Sequence, residues 1–207
     1  RGILDHYPAP YEDIPGVDYA SGKCPWSDDD VYRRIIAMMN ERMNRGDVPL
    51  NLNASGLVTH AFMHTGDESF RAWVVDYLEA WEERTRRNGG IIPDNVGLSG
   101  KIGEYNGGKW WGGYYGWRWP HGFMSIIEPL TNACMNAVLL TGDMSRLNLA
   151  RSQLDANWAL RREEGGHVLV PNKHTDTGWT DWRKPLLKYP IYLWTMSMAD
   201  EDLERID

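Results

Sequence analysis

The sequence predicts an all-α fold of antiparallel helical hairpins in tandem, with long glycine- and tryptophan-rich loops at one end. Apolar residues recur at helical spacing over several long stretches. The turn Thr65-Gly66-Asp67 returns as Thr141-Gly142-Asp143, 76 positions on. In both copies a glycine pair, Gly89-Gly90 or Gly165-Gly166, begins 23 positions after the turn glycine. Matched intervals of this kind mark an internal repeat.

Residues 1–26 are rich in Pro, Gly, Tyr and Asp and show no period, so they read as an irregular N-terminal arm. A domain of hairpins fills 27–207. Ser27 and Asp28–Asp30 supply a cap and first-turn acids, and Tyr32, Ile35, Ile36, Met39 and Met43 follow at helical spacing until Gly46. A helix over 28–45 is expected. The first hairpin, about 50–90, has an apolar segment from Ala54 to Met63, the Thr-Gly-Asp turn, and a helix with Phe70, Trp73, Val74, Tyr77, Leu78 and Trp81 on one stripe. It stops at Arg86-Arg87-Asn88-Gly89-Gly90, where basic residues suit the dipole and glycine an αL cap. The second hairpin, about 122–166, has a helix from Phe123 to Leu140 containing Pro129, then a helix with Leu147, Ala150, Leu154 and Trp158 inward. A third, incomplete, begins near Tyr189 and runs to 207, with Ala199-Asp200 where the turn would stand.

Such hairpins must stack to bury both faces, which puts the loops after each glycine pair at one end. One loop leads into Gly100 to Phe123, which holds four of the eleven tryptophans and three of the ten tyrosines among glycines. The other runs from His167 through His174 to Trp179 and Trp182. Glycine at this density disfavours a helix, and flat rings beside Lys, Arg, His and Glu suit a ligand surface.

Bulk properties narrow the partners. A net charge of -7 argues against a general nucleic-acid or anionic-membrane surface. No apolar run is long enough to cross a bilayer, and no signal-peptide pattern opens the chain. Cys24 and Cys134 have no metal-motif spacing. His60 and His64 share a helical face, but residue 61 is alanine, so no metal is expected, and no cofactor. The glycines do not form a phosphate cradle. Because the chain opens on Arg1 and its last helix breaks off, it reads as part of something longer.

The repeated hairpins with Thr-Gly-Asp turns resemble the α/α-toroid enzymes, the six-hairpin glycosidases and toroidal polysaccharide lyases, over about residues 28–207. The resemblance implies a sugar-binding groove across one end of a barrel, closed by further hairpins of the same chain or of another copy. For an enzyme degrading glycans it implies a secreted or periplasmic setting.

The residues fit that chemistry in two ways. Sugar rings stack on aromatic faces while hydroxyls take planar polar partners, so Trp110, Trp111, Tyr114, Trp117, Trp119, Trp179 and Trp182 are candidate platforms, about half of them core. Asn53, His60, His174 and Asp181 join them as substrate contacts. Elimination on a uronate needs a neutralising cation, a base and an acid; His121 with Arg118 leads, and Tyr115, Tyr105, Asn53 and Asn95 are the other groups of suitable type. His121 alternatively caps the next helix. Hydrolysis needs two carboxyl groups flanking the bond, drawn from Asp94, Glu104, Asp176 and Asp181, although Asp94 within Pro-Asp-Asn also suits an Asx turn. A non-catalytic glycan-binding protein and a toroid enzyme acting on an apolar substrate remain as alternatives.

Overall fold

A computed structural model of the chain describes residues 2–14, 17–18 and 23–206. Helix α1 is Asp29–Arg45, α2 Ala54–Thr65, α3 Glu68–Arg87, α4 Met124–Thr141, α5 Asn148–Ala159, α6 Lys188–Ser197 and α7 Asp200–Leu203. Strands β1 (Gly46–Asp47) and β2 (Val96–Gly97) pair, and β3 (Arg162–Glu164), β4 (His167–Thr175) and β5 (Gly178–Arg183) form a second sheet.

The Thr-Gly-Asp turns are built by the same bonds twice. Gly66 and Gly142 adopt φ of 66° and 72° and close α2 and α4. The preceding threonines bond back to Ala61 and Ala137, and Asp67 and Asp143 each accept at 2.9 Å from the backbone N–H two residues on. One residue thus stops the first helix, and its neighbour caps the next. Helix α4 lies at the centre, with α2, α3, α5 and α6 against it. Its Ile126, Ile127, Leu130, Cys134 and Ala137 are sealed among Leu52, Leu78, Trp81, Leu147 and Leu193.

The all-α expectation is overturned. The chain is 53% helix and 13% strand, with two antiparallel sheets, and is a mixed α/β fold. The segment after Gly165-Gly166, expected to be an open loop, is the β4–β5 hairpin. Its alternating Val168 and Val170 favour a strand, and Pro171, which has no N–H for the ladder, stands beside an interruption. The paired register skips Asn172 and Asp181, and Asp181 has φ 55°. The register is the same on both sides of the gap, so the ladder is interrupted there without a bulge. Two inward assignments also fail, because Trp73 and Trp158 are 42% and 45% exposed. Arg161 covers the Trp158 ring instead, at 4.9 Å.

The N-terminal arm builds a small core of its own. Ala9, Tyr11, Ile14, Cys24 and Trp26 close against Val31 and Ile35 of α1.

Candidate functional site

Two distant loops meet along one edge of β4. Strand β3 covers β4 only as far as Leu169. Beyond it, the aromatic loop takes the open edge: Phe123 N–H donates to the Asn172 carbonyl at 2.7 Å and His174 N–H to the Trp117 carbonyl at 3.2 Å. Trp117 and Trp179 rings are consequently 5.2 Å apart. Backbone hydrogen bonds brought together what tryptophan spacing only suggested.

Asp94 holds the aromatic loop in shape. Its carboxylate, fully buried, accepts from Gly112 N–H (2.9 Å), Gly113 N–H (2.8 Å), Trp117 N–H (2.7 Å) and Asn95 Nδ2 (3.0 Å). Burial pushes its pKa up, and the four donors oppose that. A Cβ at Gly113 or Gly116 would run into Asp94, so these glycines give the carboxylate room. Asp94 is therefore closed off from any ligand, and Asn95, bonded to it and to the Lys109 carbonyl, belongs to the same scaffold.

The rings divide into two groups. The inner one gathers Trp110, Trp117, Phe123 and Trp179, with Trp117 stacked on Phe123 at 5.5 Å and its indole N–H on the Ile92 carbonyl. Trp110 and Trp179 are partly buried against the main core, and His174 sits 4.7 Å from each. Trp111 joins from the rim, 4.6 Å from His174. Burial holds the His174 pKa below its ordinary value, a neutral ring among indoles. The outer group is Tyr114, Tyr115, Trp119 and His121. Tyr115 lies 4.5 Å from Tyr114, 6.2 Å from Trp119 and 6.3 Å from His121. Tyr114, Tyr115 and Trp119 are partly exposed and His121 is exposed. Tyr115 is at φ 55°, a conformation unusual for a bulky side chain and often found at functional positions.

Arg118, expected beside His121 as a cation for substrate, points into the protein. Its Nε pairs with Glu12 at 2.8 Å and its Nη1 donates to the Ala9 carbonyl at 2.6 Å, tying down the arm. Glu12 also accepts from Asp176 N–H, while the Asp176 carboxylate is held by Lys109 at 2.6 Å and by the Trp111 indole. Burial raises the Glu12 pKa; burial would raise that of Asp176 too, but Lys109 and its other partners bring it below the ordinary value. Glu12, on an arm without period, was invisible to sequence reasoning.

The remaining candidates scatter. Glu104 accepts from Ser99 Oγ at 2.7 Å and pins a turn. Tyr105 lies under Arg45, 5.7 Å away. Asn53 bonds Asn132 at the start of α2, and His60 packs edge-on against His64 at 4.6 Å on the exposed face of that helix. Trp182 is covered by Arg162 at 4.2 Å. Asp181 pairs with Arg183 at 2.7 Å and accepts from Asn172 at 2.9 Å; burial alone would raise its pKa, but these partners bring it down.

One cation that sequence reasoning missed lies beside Gly122, the residue that follows His121 in the chain. The Lys173 stem packs against Gly122, where a Cβ would stand 2.9 Å from Lys173 Cγ and collide with the Asn172 carbonyl. Burial lowers the Lys173 pKa, and its nearest carboxylate, Asp181, is 3.9 Å off. The alternation of β4 was the available signal. Among the described residues no cluster of three His, Cys, Asp or Glu could hold a metal, and no helix is long and apolar enough to cross a membrane.

These features define a mixed α/β protein of stacked helical hairpins whose aromatic loop docks on the edge of a three-stranded sheet. The chain belongs to the family described as a domain of unknown function, DUF8034, whose model matches residues 1–167 and 159–207. No curated protein and no solved structure matches it.

Proposed function

We propose that this chain is a carbohydrate-active enzyme cleaving glycosidic bonds by β-elimination on a uronate-containing glycan. The observation that carries the reading is the ring group of partly exposed Tyr114, Tyr115 and Trp119 with exposed His121, and the Lys173 side chain, 20% exposed, packed on Gly122 next to His121 in sequence. Pyranose C–H groups stack on such rings, and a cation with little solvent around it acts strongly on a carboxylate. In this reading Lys173 replaces Arg118 as the group that neutralises the uronate.

The step then balances with side chains alone. The His121 imidazole takes the proton beside the carboxylate, and the electron pair left behind forms the carbon–carbon double bond. The bond to the glycosidic oxygen breaks, and the Tyr115 phenol protonates that oxygen. Elimination is preferred to hydrolysis because each loop carboxylate is engaged: Asp94 by backbone N–H groups, Glu104 by Ser99, Asp176 by Lys109 and Asp181 by Arg183.

Incubation with uronate-containing and neutral glycans, following reducing ends together with the ultraviolet absorbance of the unsaturated product, tests this. Turnover with absorbance is expected, falling about 10²-fold or more in His121→Ala and Tyr115→Phe. Sugar release without absorbance would mean hydrolysis. Glycan binding with no turnover would leave a binding protein.

A further inference from the structure

A cavity lies away from the aromatic patch, between α5, β4, the 184–190 segment and the C-terminal turn. Its volume is about 570 Å³, in the range of small-molecule sites. Leu154, Trp158, Val168, Val170, Leu186 and Pro190 supply apolar wall. This explains why Trp158, at an inward position of its helix, is left exposed: it faces the cavity and not the main core.

The polar groups are few and divide by side. On the wall from α5 and the C-terminal turn, Asp155 is already neutralised by Arg205, both of its oxygens accepting at 2.8 Å. Arg205 serves Asp202 as well, and Glu204 on the same wall is an exposed carboxylate with no ion pair or hydrogen bond from its side chain to the described residues. On the sheet side stand Lys184 and His167, both exposed, with no ion pair or hydrogen bond from their side chains to the described residues. The cavity therefore offers an apolar body site with an uncommitted ammonium and imidazole on one side.

We propose that this cavity binds a monocarboxylate with an apolar body, the carboxylate on Lys184 and His167 and the body against Trp158, Leu154 and Val168. The volume accepts an aliphatic or aromatic body of roughly ten carbons. The proposal is independent of the glycan reading, since no member of the outer ring group lines the cavity.

Calorimetric titration of the whole chain at low salt with octanoate, octan-1-ol and octylammonium, which share a tail and differ in charge, tests it. Octanoate is expected to bind most tightly and octylammonium least. Lys184→Ala, an exposed position that the fold does not use, should weaken octanoate about fivefold and leave octanol unchanged. Val168→Phe or Leu154→Trp, checked for folding by circular dichroism, should reduce binding of both. Octylammonium binding at least as tightly as octanoate, an unchanged octanoate affinity in Lys184→Ala, or no saturable binding of any of the three would overturn the proposal.

Discussion

Apart from Trp179, the inner and outer rings come from the same stretch of chain, yet only the inner ones pack against the main core. Trp117, 2% exposed, stacks on Phe123 and donates to Ile92, so its polar and apolar parts are both satisfied inside the protein. Two residues away, Tyr115 and Trp119 present their rings outward. The divide runs through Asp94: its carboxylate takes the N–H groups of Gly112, Gly113 and Trp117, pulling the loop backbone around one buried point. Aromatic density in a sequence thus does not mark a ligand surface. What matters is which side of the buried carboxylate a ring falls on.

That division predicts unequal costs. Asp94→Ala orphans three buried N–H groups at about 1–3 kcal/mol each and should destabilise the fold by about 4 kcal/mol or more in chemical denaturation. Trp117→Ala removes a sealed indole and should cost about 3–5 kcal/mol in the same assay. Arg118→Ala leaves Glu12 without its partner at a nearly covered site and should cost about 3 kcal/mol, with faster proteolysis of the arm. Trp119→Ala in the outer group should change stability by less than about 1 kcal/mol while weakening any glycan interaction. If Trp119→Ala unfolds the protein as readily as Trp117→Ala, the two groups are one core and the comparison collapses.

The smallest effect concerns acid. The Asp202 side chain is wholly covered, and burial alone would raise its pKa, but hydrogen bonds from Arg151 and Ser197 and the charge of Arg205 bring it below 3.8. A carboxylate depressed in the folded state stabilises it above the unfolded pKa and loses that contribution as pH falls through the folded value. Amide exchange in the α6–α7 hairpin should therefore speed up as pH falls below ~4 relative to its rate at neutral pH, and Asp202→Asn, which lacks the carboxylate at every pH, should remove that pH dependence.

The helices were legible because their signals are local. A threonine that bonds back, a glycine in the left-handed region and a capping aspartate act within a few residues, so the two Thr-Gly-Asp turns were readable twice over. The strands were less so: Pro171 and the polar run from Asn172 to His174 weigh against a strand until the pairing with β5 and the docking loop are known. At the site, His121, Tyr115 and Trp119 were named from sequence, but Arg118 was given the wrong direction and Glu12 and Lys173 went unnoticed. Their roles depend on partners more than fifty residues away, or on the face of a strand not recognised as one.

By itself, then, the sequence determined the helical hairpins, their turns and the aromatic character of the loop, since helix periods and caps are short-range. Only the tertiary structure decided which rings are sealed, which carboxylates are engaged and which cation packs against Gly122. Burial and pairing depend on surfaces the chain brings together when it folds, and no local pattern encodes them.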